Sequence, residues 1–210
     1  PAIRYTETMV INPSDLSPLA AYKLATSLIV PRPIAWVGTQ SLTGVPNIAP
    51  FSYFMGVSSQ PPSIAISVAR GRNRSIKDTA ANILATGEFS VSVVSHALCD
   101  PMVQSSLPLP PDVSEFDEND LAYSQCETIS APRPLDAVAT MECRLIHAHE
   151  METVHLLVGK VERYHIDDAA VRVDEKGHSV ATIDALDPIA RLGGYDYCRV
   201  TDVFTKRPQK

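Results

Sequence analysis

Between Ser63 and Val68 the chain alternates strictly: Ile64, Ile66 and Val68 fall on one side, Ser63, Ala65 and Ser67 on the other. A two-residue period belongs to a β-strand with one buried face. It returns at Glu88–Val94, where Phe89, Val91 and Val93 oppose Ser90 and Ser92. Ile34–Thr39, Asn47–Phe54, Ala137–Ala148, Val154–His165 and a last short run around Tyr195–Val203 read as further strands. Their connections are short: Gly44 and Pro46 punctuate Ser41–Pro46, two prolines close the turn Ser58–Pro62, and Glu150–Glu152 reverses a hairpin. Pro50 cannot donate to a ladder, so a bulge or an open edge is expected there. Helical spacing is confined to about Asp15–Leu28, capped by Ser14 or Asp15, and about Ser75–Thr86, ended by Gly87 in the left-handed conformation. A parallel α/β sheet needs a helix after nearly every strand, so the pattern points to an antiparallel barrel. The prolines and acids of Pro101–Ser124 read as a long excursion that packs through Phe116 and Leu121.

Charge marks the sharpest local departure. The formal net charge is -6, which excludes a general affinity for nucleic acid or for anionic membrane. Yet Arg70, Arg72, Arg74 and Lys77 crowd the point where a strand gives way to a helix. A helix N-terminus presents unpaired N–H groups and partial positive charge, arginines add forked donors, and Ser75 and Thr79 add hydroxyls. A phosphate suits this corner; the alternative is a solvated turn in which cations happen to cluster. There is no GxxxxGK[ST] and no GxGxxG after a strand, which argues against a P-loop triphosphatase and a Rossmann dinucleotide site. A mononucleotide with one terminal phosphate fits better.

A second cluster is Asn47–Phe54, where amide and hydroxyl groups could meet the edge of a heterocycle and Pro50 frees neighbouring backbone groups. The competing reading is an aromatic-rich strand filling the core. Trp36 could stack on a flat ring or fill the core. His147, His149 and His155 invite a metal reading, against which Glu150 and Glu152 sit where a hairpin tip would be solvated anyway. No nucleophile motif such as GxSxG occurs. Cys99, Cys126, Cys143 and Cys198 are scattered without a CxxC pair, as expected of reduced thiols in a cytoplasmic protein, and no secretory leader or membrane-spanning run is read.

Taken in order, Arg32–Val37, Asn47–Ser52, Ser58–Pro62, Arg74–Thr79, Gly87–Phe89, Glu115–Phe116, Glu142–Cys143, His155–Val161 and Arg191–Tyr195 resemble the flavin reductase-like family, whose members have the FMN-binding split-barrel fold. The resemblance implies a mainly β protein, an antiparallel Greek-key split β-barrel with a few flanking helices, forming one domain over residues 1–210. It implies a homodimer with FMN held close to the subunit interface. By motif position, Ser67, Arg72, Ser75, Lys77, Asp78 and Thr79 receive the ribityl phosphate. Trp36, Asn47, Ile48, Ala49, Pro50, Ser52 and Tyr53 line the isoalloxazine ring, and His155 and Tyr195 approach the same pocket.

The activity this implies is an NAD(P)H-dependent flavin oxidoreductase, with nicotinamide stacked so that hydride reaches the flavin N5. His155 is the candidate for positioning or proton supply, and reduced flavin could pass to a monooxygenase. Two alternatives remain open: a flavoredoxin-like electron-transfer protein without NAD(P)H turnover, and a metal-dependent enzyme using His147–His155.

Overall fold

The computed structural model describes residues 8–71 and 73–208. Seven strands form one antiparallel sheet: β1 (Ala35–Gln40), β2 (Pro46–Phe51), β3 (Phe54–Ser59), β4 (Pro62–Ala69), β5 (Glu88–Val93), β6 (Ala139–Glu150) and β7 (Val154–Ile166). They lie side by side in the order β2-β1-β5-β6-β7-β4-β3. The two edge strands, β2 and β3, are consecutive in sequence and joined only by Ser52 and Tyr53. Such a ribbon has to curl until its edges meet. Each strand accordingly sends side chains into one interior: Val37, Phe51, Phe54, Ile66, Phe89, Cys143 and Leu157 come from β1 to β7 in turn. β5, β6 and β7 are neighbours in order, while β4, tied to β5 by a long connection, lies back beside β7. That arrangement is a Greek key, so the fold is the expected antiparallel barrel. Gly159 of β7 makes room inside it, because the Phe89 ring occupies the place a Cβ would take.

Among the described residues five α-helical segments accompany the barrel: α1 (Pro18–Leu28), α2 (Asp78–Thr86), α3 (Cys99–Gln104), α4 (Glu115–Glu118) and α5 (Ile183–Leu186). α1 starts at Pro18 rather than Asp15, because Ser17 Oγ accepts from the Ala20 N–H at 3.2 Å and proline suits the first helical position. α2 starts at Asp78 rather than Ser75, since Arg74 is left-handed (φ 57°) and Lys77 is extended. It ends as expected at Gly87, whose φ is 74°. Ala80 and Ile83 of α2 pack into the barrel interior. The stretch expected as one strand over Asn47–Phe54 is two, β2 and β3, broken at Ser52–Tyr53 where the chain crosses between the edges.

A second core lies on the outer face of β1 and β2, where Trp36 and Ile48 meet Met102 of α3, Phe116 of α4 and Leu121. The excursion before Ser124 thus packs through Phe116 and Leu121 as expected, but carries two short helices of its own. Beyond it, Tyr123–Gln125 pairs with Pro132–Pro134 and covers the outside of the sheet. Gly38 of β1 permits that cover, since a Cβ there would collide with the Pro132 carbonyl.

Candidate functional site

The turn before α2 is tied to the tip of the β6–β7 hairpin. The Arg70 N–H donates to the Thr153 carbonyl at 2.9 Å, and its guanidinium pairs with Glu150. Arg74 pairs with Glu152 at 3.2 Å, both side chains being exposed. Two of the clustered cations therefore answer carboxylates of the hairpin, which orients the turn. Lys77 and Ser75 are exposed, and their side chains make no hydrogen bond or ion pair among the described residues. Arg72 lies outside the described residues. Lys77 is the N-cap of α2 and gives it no side-chain cap, so the first-turn N–H groups remain available to an anion. Burial pushes the Asp78 carboxyl above its ordinary value, with a hydrogen bond from its own N–H acting the other way.

From this corner a buried network runs to β2. Asn47 Oδ1 accepts from Thr79 Oγ1 and Thr39 Oγ1, each at 3.1 Å, and Asn47 Nδ2 donates to Glu115 Oε2 at 2.8 Å. The same Glu115 oxygen accepts from the Ile48 N–H at 3.1 Å. Burial raises the Glu115 carboxyl from its ordinary value, while the hydrogen bonds from Glu115 and Ile48 backbone and from Asn47 hold it down. Because the Ile48 N–H turns away from β1, strand parity sets Pro50 on the same outer edge. Pro50 thus sits where its missing donor costs no ladder bond, as its sequence required.

Farther along, Ser52 Oγ accepts from Arg32 Nε at 3.3 Å. The buried Arg32 also donates to the carbonyls of Thr26 and Ile29, each at 2.6 Å, and of Leu192 at 2.7 Å, fastening the end of α1 and the 192–195 turn beside Ser52. The Ser67 N–H donates to the Tyr53 carbonyl at 2.9 Å, carrying the β3–β4 pairing one residue past Phe54, where Tyr53 is exposed. In that turn Gly194 is left-handed (φ 63°) and its carbonyl accepts from Arg191 at 2.6 Å; Tyr195 is 94% exposed. His155 is buried, and its Nε2 lies 3.4 Å from Arg70 Nη2.

The structure therefore joins Asn47 to Thr79 directly, Tyr53 to Ser67 through backbone, and His155 to the turn holding Ser75, Lys77 and Asp78. Ile48 and Pro50 share one outer edge, while Ala49 packs against the barrel interior. Trp36 has to be corrected: it has no exposed surface, its indole N–H donates to Ser105 Oγ at 2.9 Å, and it fills the second core behind β2. The three histidines also part company. His155 stands opposite Glu150, whereas His149 and His147 stand opposite Leu156 and Val158, on the other face of the hairpin. Among the described residues no group of three or more His, Cys, Asp or Glu converges as a metal would need. Sequence reasoning gave no role to Arg32 or Glu115. The only signal was that each stands within a stretch shared with the family, for a buried ion inside an acidic run looks like any solvated acid.

Four likenesses to known proteins bear on this geometry. Residues 27–178 match the family model described as a flavin reductase like domain. The crystal structure of nitrilotriacetate monooxygenase component B from Bacillus cereus superposes with a TM-score of 0.88 at 34% identity, covering 96% of this chain and 100% of that one. The 2-nitrobenzoate 2-nitroreductase of Pseudomonas fluorescens superposes with a TM-score of 0.84 at 29% identity, covering 95% and 96%. A putative flavin reductase with a split barrel domain from Shewanella frigidimarina shares the fold, with a TM-score of 0.80 at 20% identity and coverage of 94% and 96%.

Proposed function

The chain belongs to the flavin reductase-like domain family, and on that premise we propose that it is an FMN-binding oxidoreductase taking hydride from NAD(P)H. The observation that carries the reading is the uncapped start of α2, with Lys77 and Ser75, unpaired among the described residues, beside it, linked through Thr79 and Asn47 to the open edge of β2. A helix start of this kind suits a dianionic phosphate, and a strand edge offers backbone acceptors to a heterocycle.

In this reading Ser75, Lys77, Asp78, Thr79 and Ser67, with Arg72, hold the phosphate tail. Asn47, Ile48, Ala49, Pro50, Ser52 and Tyr53 face the ring through side-chain or backbone groups. A bound flavin supplies the hydride acceptor and the electron relay. The protein's own part is placement. Glu115 fixes Asn47, Arg32 fixes Ser52, and the Glu150 and Glu152 pairs hold the phosphate turn in one orientation. His155, buried beside Arg70, keeps an imidazole at the same corner for positioning or for holding a proton.

Met55 and Val57 on β3, the other edge strand, are exposed. A homodimer would cover those side chains and bring Tyr195 of one copy toward the flavin of the other. No helix among the described residues is long and apolar enough to cross a membrane; we place the protein in the cytoplasm. The likeness to a monooxygenase component supports delivery of reduced flavin to a partner oxygenase.

One observation favours a second reading. Asp112, Asp117, Glu118 and Asp120 are all exposed around α4 and would suit docking of a basic electron-transfer partner in a flavoredoxin-like carrier. Calorimetric titration with FMN, FAD and riboflavin, followed by anaerobic addition of NADH or NADPH, separates the readings. Tight FMN uptake with bleaching of the visible bands is expected. Uptake without bleaching favours the carrier, and no flavin uptake ends both.

A further inference from the structure

The two ion pairs that join the α2 turn to the hairpin tip differ in kind. Arg70 is held from several sides. Its N–H donates to the Thr153 carbonyl at 2.9 Å, its Nη1 to the Arg74 carbonyl at 3.2 Å and its Nη2 to Glu150, and its side chain is only 18% exposed. Arg74 has one side-chain partner among the described residues, Glu152 Oε1 at 3.2 Å, and both of those side chains are 75% exposed. A pair so exposed favours its closed state over the open one by about fivefold at most. Arg70 is a fixed part of the corner, whereas Arg74 can change partner.

The backbone keeps Arg74 beside the start of α2 whichever way its side chain turns. The Gly71 N–H donates to the Ser75 carbonyl and the Arg74 N–H to the Gly71 carbonyl, each at 2.9 Å. Within that closed turn Arg74 is left-handed, with φ at 57°. Glycine would adopt this conformation at less cost, so the position trades backbone ease for a guanidinium. Ser75 follows directly, and Lys77, the N-cap that gives α2 no side-chain cap, is three residues on. Across the gap the Met151 N–H donates to the Val154 carbonyl at 2.9 Å, closing the tip that carries Glu152.

Charge balance decides what Arg74 does when an anion arrives. Of the cluster's described cations only Lys77 has no carboxylate partner. A phosphate monoester brings close to two negative charges and three acceptor oxygens, so it outcompetes a single solvated carboxylate for a forked donor.

Resting on the phosphate reading of this corner, we propose that Arg74 is a further phosphate-binding residue and that Glu152 is its built-in competitor. Glu152 holds Arg74 until the phosphate arrives, and the guanidinium then turns to the phosphate. Glu152 thereby sets how long flavin stays, because its return helps the phosphate to leave. A competitor that lowers affinity only severalfold suits a flavin that is exchanged rather than kept.

Calorimetry and stopped-flow release of FMN, applied to the full chain as parent, E152Q, R74Q and R74Q/E152Q, test this, with K77A and riboflavin as controls. The side chains replaced are exposed, so each variant should keep the parent's melting temperature. E152Q should bind FMN about two- to fivefold more tightly, chiefly through slower release, and R74Q about tenfold more weakly. The gain from E152Q should vanish in the R74Q background, because the carboxylate acts through Arg74. Riboflavin, which lacks the phosphate, should bind all four proteins alike. Unchanged or weaker FMN binding by E152Q overturns the proposal, and so does a gain that persists without Arg74, which is plain repulsion. If K77A also leaves FMN affinity unchanged, the phosphate reading fails with it; if K77A weakens FMN and E152Q changes nothing, only the competitor fails.

Discussion

Glu115 Oε2 sits 2.8 Å from Asn47 Nδ2, so the one helical turn of α4 is bolted to the edge strand through a buried carboxylate. The same oxygen takes the Ile48 N–H, which would otherwise face the open edge of the barrel. An acid in the middle of an acidic surface run thereby sets where an amide of the candidate site points.

Glu115→Gln should cost about 1–3 kcal/mol of stability, because a neutral amide oxygen holds the two buried donors less strongly than a charged carboxylate, and the new NH₂ group needs an acceptor of its own. Urea unfolding of the two proteins measures it. FMN affinity should fall together with stability, since Asn47 loses its anchor; unchanged affinity would detach Asn47 from flavin binding.

Lys77→Ala and Ser75→Ala should each weaken FMN binding about tenfold, the loss expected of one charge-assisted or hydroxyl contact to phosphate. Both side chains are exposed, so melting temperatures should stay near that of the parent. Riboflavin, which lacks the phosphate, is the control. If its affinity drops equally in calorimetry, the α2 corner does not hold the phosphate.

Gly159→Ala should destabilise the barrel by about 1–3 kcal/mol, because the new methyl must displace the Phe89 ring from a filled interior. Phe89→Ala removes the ring instead and should cost about 3–5 kcal/mol. The double variant should lose less than the sum, which thermal or chemical denaturation of all four proteins would reveal.

Glu142 gives the fold an acid limit. Burial alone would raise its carboxyl, but hydrogen bonds from the Thr128 hydroxyl, His165 Nε2 and the N–H groups of Glu127 and Thr128 outweigh it. They hold the folded carboxyl at about 2, below its ordinary value of 4.5. The stability it contributes is present above the unfolded value and is lost as pH falls from there toward 2. Stability measured across that window should decline in the parent and decline less in Glu142→Gln, which should already be weaker at neutral pH. Parallel curves for the two proteins would show that the clamp on Glu142 is not the acid-sensitive element.

The strands were legible in the chain because burial of one face writes a period of two into Ile64–Val68 and Phe89–Val93, and Gly87 marks a helix end because it readily takes the left-handed conformation that other residues avoid. The cationic corner was legible as well, because four cations gathered at a strand-to-helix junction stand out against an acidic chain. The sequence could not decide which of those cations were free. Arg70 and Arg74 turn to Glu150 and Glu152 only because the hairpin tip folds back some eighty residues later in the chain, a relation that loop closure and sheet order create and no local pattern carries. Trp36 shows the same division. Its position on a strand could be read, but the side of the sheet that became the barrel interior was settled by how β2 and β3 close the ring, and Trp36 fell on the other side. Periodicity fixes which residues share a face; only the closed sheet determines what that face meets.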